Sequence, residues 1–185
     1  MDNDPLEQLV DWVRNRRFGK YRGTVVDNAD PTKRGRLKVR VQGALSDLQL
    51  WAMPCVPYAG KDVGFYFLPE PGTGVWVEFE GGDISMPIWT GCFWADEQLP
   101  EGATAAATKV IRTGQTAIVF NDDTPELRAT VVDAGEVTIG DDVAVVRDQA
   151  KLTVGTDGVT GEMGSGKVEV QQSGVSINSG AFEVS

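Results

Sequence analysis

The C-terminal part of the chain is patterned by short apolar pairs, two residues apart, with Gly, Asp and other polar residues between them. The pairs are Val137/Ile139, Val143/Val145, Leu152/Val154, Val168/Val170, Val175/Ile177 and Phe182/Val184, with a weaker turn at Val159/Gly161. Val137 and Phe182 lie 45 residues and six steps apart, a period of about 7.5. That period is too short for helical solenoids or propeller blades. It predicts one short strand per step, then a turn into the next strand. Each repeat has too few apolar residues to close a core within one chain. Several copies winding together would close it, so a rigid multi-chain β-prism is expected.

Two other patterns precede it. Leu6, Leu9, Val10 and Val13 fall at i, i+3, i+4 and i+7, which predicts one short helix over residues 5–18 with a single apolar face. Asp4 is placed to cap it, with Pro5 in the first turn and Glu7 at N3, and Arg14, Arg16 and Arg17 suit its C-terminal end. A helix of this length is marginal alone, so the face must dock, either on its own barrel or on a partner.

Between residues 19 and 98 the alternation has period two. Tyr21–Val26 and Arg36–Val41 alternate, the second with Leu37, Val39 and Val41 inward and Arg36, Lys38 and Arg40 outward. Leu50–Val56, Phe65–Leu68, Val75–Phe79 and Pro87–Trp94 follow, punctuated by Gly and Pro. Five or six short strands in this span predict a small closed barrel of OB type. Residues 99–108 read as a linker of small residues. The predicted domains are therefore a helix (1–19), a barrel (20–98), a linker (99–108) and a repetitive tail (109–185).

Composition narrows the function. Lys and Arg total 17, Asp and Glu 27, for a net charge of −10, which argues against nucleic acid as a partner. Residues 1–98 hold 11 basic and 14 acidic groups and residues 99–185 hold 6 and 13, so the repetitive tail is the acidic part. The acidic start before Pro5 has no apolar region after it, so a cytoplasmic origin without a signal peptide is expected. Cys55 and Cys92 lie in apolar surroundings and read as buried free thiols.

Candidate chemistry is sparse. The absence of histidine excludes Ser-His and Cys-His catalysis, and with two cysteines it leaves little for a metal site. Asp122/Asp123 and Asp141/Asp142 read as solvated turn residues, and Gly161–Lys167 as a glycine-rich β-turn rather than a phosphate loop. The aromatics between Trp51 and Trp94 alternate with polar residues, as in a barrel interior or a protein-binding face. No enzyme and no cofactor are expected.

Four segments resemble one family in order and spacing. They are Arg22-Gly-Thr-Val-Val26 with Asp30-Pro-Thr-Lys-Arg-Gly-Arg-Leu-Lys-Val-Arg-Val41; Trp51-Ala-Met-Pro-Cys-Val-Pro-Tyr-Ala-Gly60; Gly64-Phe-Tyr-Phe-Leu-Pro-Glu-Pro-Gly-Thr-Gly-Val-Trp-Val-Glu-Phe79; and Gly81-Gly-Asp83 with Met86-Pro-Ile-Trp-Thr-Gly91. They resemble the barrel of contractile injection system spikes. That family includes phage baseplate assembly protein V, the valine-glycine repeat spikes of type VI secretion, and spikes of extracellular phage-tail-like particles. Lys109-Val-Ile-Arg-Thr-Gly114 and Phe120-Asn-Asp-Asp123 resemble the opening of the family's β-helix.

The resemblance implies an all-β homotrimer: three OB barrels in a collar, and three tails intertwined as a β-helix or β-prism. Its axis would be lined by Val137, Ile139, Val143, Val145, Leu152, Val154, Val168, Val170, Val175 and Ile177. A dozen such residues per chain give a gross drive of roughly 20–35 kcal/mol, an upper bound. Seven strand layers give a needle of roughly 30–40 Å. The implied role is mechanical: a spike assembled into the baseplate of a phage or phage-tail-like particle, joined to the hub or inner-tube protein and driven into the target envelope by sheath contraction. Leu6, Leu9, Val10 and Val13 would face the hub or a neighbouring barrel.

Two family features are missing. No lysozyme domain fits between Trp94 and Lys109, and without histidine there is no iron-binding His-x-His apex. Phe182 and Val184 would either close the trimer or seat a separate tip cap of the proline-alanine-alanine-arginine repeat type, and the cap is the favoured expectation. The competing class is a trimeric OB-fold binding module for glycan or protein.

Overall fold

The computed structural model describes residues 4–41, 48–103, 105–179 and 181–184, with the side chains of Glu183 and Val184 left out. Met1–Asn3, Thr104 of the expected linker, and Gly180 and Ser185 of the expected tip lie outside the described residues. The chain forms two compact units, Met1–Gln98 and Leu99–Ser185.

The first unit begins with helix α1, Pro5–Arg14. Asp4 caps it by accepting the Leu6 N–H at 3.0 Å. The helix ends four residues before the expected Phe18, because the following arginines serve another purpose. The Arg17 guanidinium donates to the Arg14 carbonyl at 2.9 Å, and the Arg17 N–H donates to the Gly82 carbonyl at 2.8 Å. The chain is thereby tied to the turn at Glu80–Gly82 instead of continuing the helix.

Seven strands follow: β1 (Tyr21–Asp27), β2 (Leu37–Val41), β3 (Gln49–Pro54), β4 (Ala59–Gly60), β5 (Val63–Gly64), β6 (Gly74–Phe79) and β7 (Pro87–Cys92). Five of them close a barrel in the order β1-β2-β3-β7-β6, and β4 and β5 pair as a separate small hairpin. Leu37, Val39 and Val41 are 0–1% exposed, so the inward face of β2 is as the alternation predicts. The rest of the core is Val25, Ala52, Val75, Val77, Phe79 and Trp89.

Two expectations fail here, and one open choice is decided. The barrel interior is aliphatic: only Phe79 and Trp89 among its aromatics are buried, while Tyr58, Phe65, Tyr66, Phe67 and Trp94 are exposed. A barrel of five short strands has room for valines and few rings. Phe65–Leu68 is not a strand. Gly64 precedes it at φ +150, close under the Tyr58 carbonyl, and Pro69 and Pro71 after it have no N–H to donate to a ladder. Cys55 and Cys92 are free as expected, but exposed rather than buried. Both sit at strand ends, beyond the core layer.

The second unit is a sheet of ten strands. They are β8 (Thr108–Arg112), β9 (Thr116–Asn121), β10 (Glu126–Val131), β11 (Gly135–Ile139), β12 (Val143–Arg147), β13 (Ala150–Gly155), β14 (Gly158–Met163), β15 (Gly166–Gln171), β16 (Gly174–Ile177) and β17 (Phe182–Val184). Each pairs antiparallel with the next in strict sequence order. From β11 onward each strand starts seven or eight residues after the last, close to the expected period. The ladder is longer than seven layers. Ten strands at about 4.8 Å spacing extend roughly 43 Å across the sheet.

The loop between β1 and β2 is held by one carboxylate. Asp30, 3% exposed, accepts from the Arg36 guanidinium at 2.8 and 3.0 Å and from the Thr32 and Arg34 N–H groups at 3.0 and 2.8 Å. The Arg36 guanidinium, aided by these backbone donors, holds the Asp30 carboxyl far below the usual carboxylate range. A carboxyl whose folded pKa is depressed contributes stability that is complete above its unfolded pKa and is lost as pH falls towards the folded value. Asp30→Asn should therefore lower the melting temperature by several degrees at pH 7, and the gap to wild type should narrow only below about pH 4. All five tryptophans lie in the first unit, so a fluorescence melt reads this unit directly.

Candidate oligomerisation face

In an antiparallel pair, residues directly opposite each other point to the same side of the sheet. The register of the second unit therefore aligns its apolar pairs into two continuous columns. One runs through Phe120, Leu127, Ile139, Val143, Val154, Val159, Val170 and Val175. The other runs through Ile111, Ile118, Ala129, Val137, Val145, Leu152, Gly161, Val168, Ile177 and Phe182. Gly161 is the gap in the second column, and Lys109 ends the first, paired with Asp122. All ten expected axis residues fall in these columns, on one face.

The face is uncovered within the chain. Val137, Ile139, Val143, Val145, Leu152, Val154, Val168 and Val170 are 38–48% exposed. The ladder itself hides about half of each side chain, so a single chain does not expose the whole of it. Val175 and Ile177 are half-buried, and Phe182 is 60% exposed. Monomeric proteins rarely leave a contiguous apolar surface of this extent.

The opposite face carries Val110, Val119 and Val146 but is otherwise mostly polar, with ion pairs along it. Arg128 bridges Glu126 at 2.9 Å and Glu136 at 3.7 Å. Lys167 bridges Glu169 at 2.7 Å and Glu162 at 3.8 Å, and Glu169 holds the Lys167 ammonium above the usual lysine range. The sheet therefore has one wet side and one dry side. The Asp122/Asp123 and Asp141/Asp142 pairs lie in turns and bends between strands, and Gly161–Lys167 contains the β14–β15 hairpin turn.

Sequence reading missed the upstream third of this face. Ile111, Ile118, Phe120, Leu127 and Ala129 continue the same columns through β8–β10. Their signal was period-two alternation in Thr116–Asn121 and Glu126–Val131, masked by longer turns that break the step of seven to eight residues.

Glycine is required at the start of β14. Gly158 has φ +146, and a Cβ there would collide with the Val170 carbonyl oxygen. Gly158→Val should cost roughly 1–3 kcal/mol in backbone strain alone and break the β14–β15 register. Limited proteolysis should then cut the variant around residues 155–166, where wild type resists.

The other expected site, the α1 face, is also open. Leu6, Leu9, Val10 and Val13 are 64%, 56%, 38% and 53% exposed, so this face does not dock on its own barrel.

Comparison with known proteins agrees with the barrel geometry. Residues 21–94 match the family described as the type VI secretion system/phage-baseplate injector OB domain. No curated protein matches the chain. The barrel is thus similar to an injector OB domain of baseplate spikes.

Proposed function

We propose that the chain is the central spike of a contractile injection baseplate, formed by three copies whose apolar columns turn inward onto a common dry axis. The observation that carries this reading is the pair of columns, half-exposed in a single chain and directly downstream of a barrel similar to an injector OB domain. A trimer would hide the dry faces and leave the ion-paired faces in water. Three sheets fully hydrogen-bonded along their length would resist bending during penetration, because a buried backbone group that loses its partner is costly. The role is mechanical and needs no bond made or broken, which fits a chain without histidine.

The last strand of the sheet, β17, holds Phe182 and Val184, and the exposed Phe182 offers an apolar seat for a separate tip cap. Removing residues 179–185 should abolish cap capture in a pull-down. The apolar face of α1 would dock on the hub or on a neighbouring barrel.

Immunogold labelling of intact particles tests the placement. A tag on this chain should put gold at one end of the particle only, and label along the sheath or none on particles would contradict it.

A further inference from the structure

We infer that α1 of one copy seats in an apolar groove on the barrel of the neighbouring copy, linking the barrels head to tail around the ring. The inference rests on the trimer reading above. Its starting point is that helix and groove are complementary and both unoccupied.

The helix offers anchors at i, i+3, i+4 and i+7 from a segment about 15 Å long, the usual form of a helix that enters a groove. Its base is fixed. Arg17 holds Gly82, and the Arg16 guanidinium reaches the Gly81 carbonyl at 3.3 Å and Asp83 at 3.5 Å. With that base held, the four anchors remain exposed.

The groove lies between the end of β3, the β4–β5 hairpin and the irregular aromatic segment after it. It encloses about 450 Å³ and is lined by Pro54, Val56, Phe65, Phe67 and Trp89, among others. This is the size and character of a ligand cleft. It also accounts for exposed aromatics in a barrel whose interior is aliphatic.

Charge selects this occupant. Lys33 and Arg34 line the groove, and neither is in an ion pair among the described residues. Asp62 is the acidic residue lining it. The helix carries Asp4, Glu7 and Asp11 against Arg14. An acidic amphipathic helix thus meets a cationic-rimmed apolar groove on the same kind of chain. A contact between two different patches of identical chains closes into a ring when the rotation permits, and three copies about one axis provide that rotation.

The test is cross-linking with a short bismaleimide in the full chain, in a Cys55→Ser, Cys92→Ser background, with native mass measured on the same samples. Leu9→Cys chains co-expressed with Phe65→Cys chains should give a covalent dimer on a denaturing gel. The double variant should shift to dimer and trimer bands. A cross-linked band at monomer mass in the double variant would mean docking in cis and overturn the inference. So would Leu9→Cys chains cross-linking to one another, which would put the helices together. Trimeric native mass with no cross-link would overturn this inference and leave the spike reading standing. Monomeric native mass would overturn both.

Discussion

Val170→Asp is expected to abolish assembly, leaving single chains or aggregates in place of a trimer. Val170 stands opposite Val159 on one side and Val175 on the other, in the middle of an unbroken apolar column. In the assembled spike its side chain meets the same position of the other copies in a dry core. A carboxylate there has no partner, and an uncompensated buried charge costs roughly 3–5 kcal/mol. The cost applies three times per trimer, and the like charges repel. Thr153→Asp is the matched control. Thr153 faces Ala144 and Thr160 on the wet side of the same sheet, and the variant should assemble normally. The tryptophan melt of the first unit should be unchanged in both.

Leu37→Ala is expected to have the largest effect on the barrel. Leu37 is 0% exposed and lies on β2 opposite Ala52 of β3, so little side chain is available nearby to refill the space. Deleting a buried leucine to alanine costs about 2–5 kcal/mol, against a total of about 5–15 kcal/mol for a domain. For a unit of this size that lowers the melting temperature by roughly 10–30 °C, read by tryptophan fluorescence. Assembly through the second unit should survive at temperatures where the barrel has melted.

The barrel was legible because its strands alternate without interruption. Leu37, Val39 and Val41 declare their inward face by period alone, and the Gly/Pro turns separate one strand from the next. The alternation of the aromatics fitted a barrel interior and a protein-binding face equally, and only the structure shows that valine fills the narrow barrel while most rings lie outside. Phe65–Leu68 looked like a strand by composition, yet Gly64, Pro69 and Pro71 deny it a ladder. The arginines after α1 suited a longer helix, but their donors reach carbonyls of the Glu80–Gly82 turn, a contact far away in sequence. The downstream columns were visible as a regular step from Val137. Their continuation through Ile118 and Leu127 was hidden by turns of other lengths, and only the register reveals that ten strands share one dry face.

Light scattering of the full wild-type chain on a sizing column tests the central claim most directly. The account predicts a single species with three times the mass of the 19.9 kDa chain, unchanged on dilution. A stable single-chain mass would contradict it, because the apolar columns would then be a tolerated open surface rather than the axis of a spike.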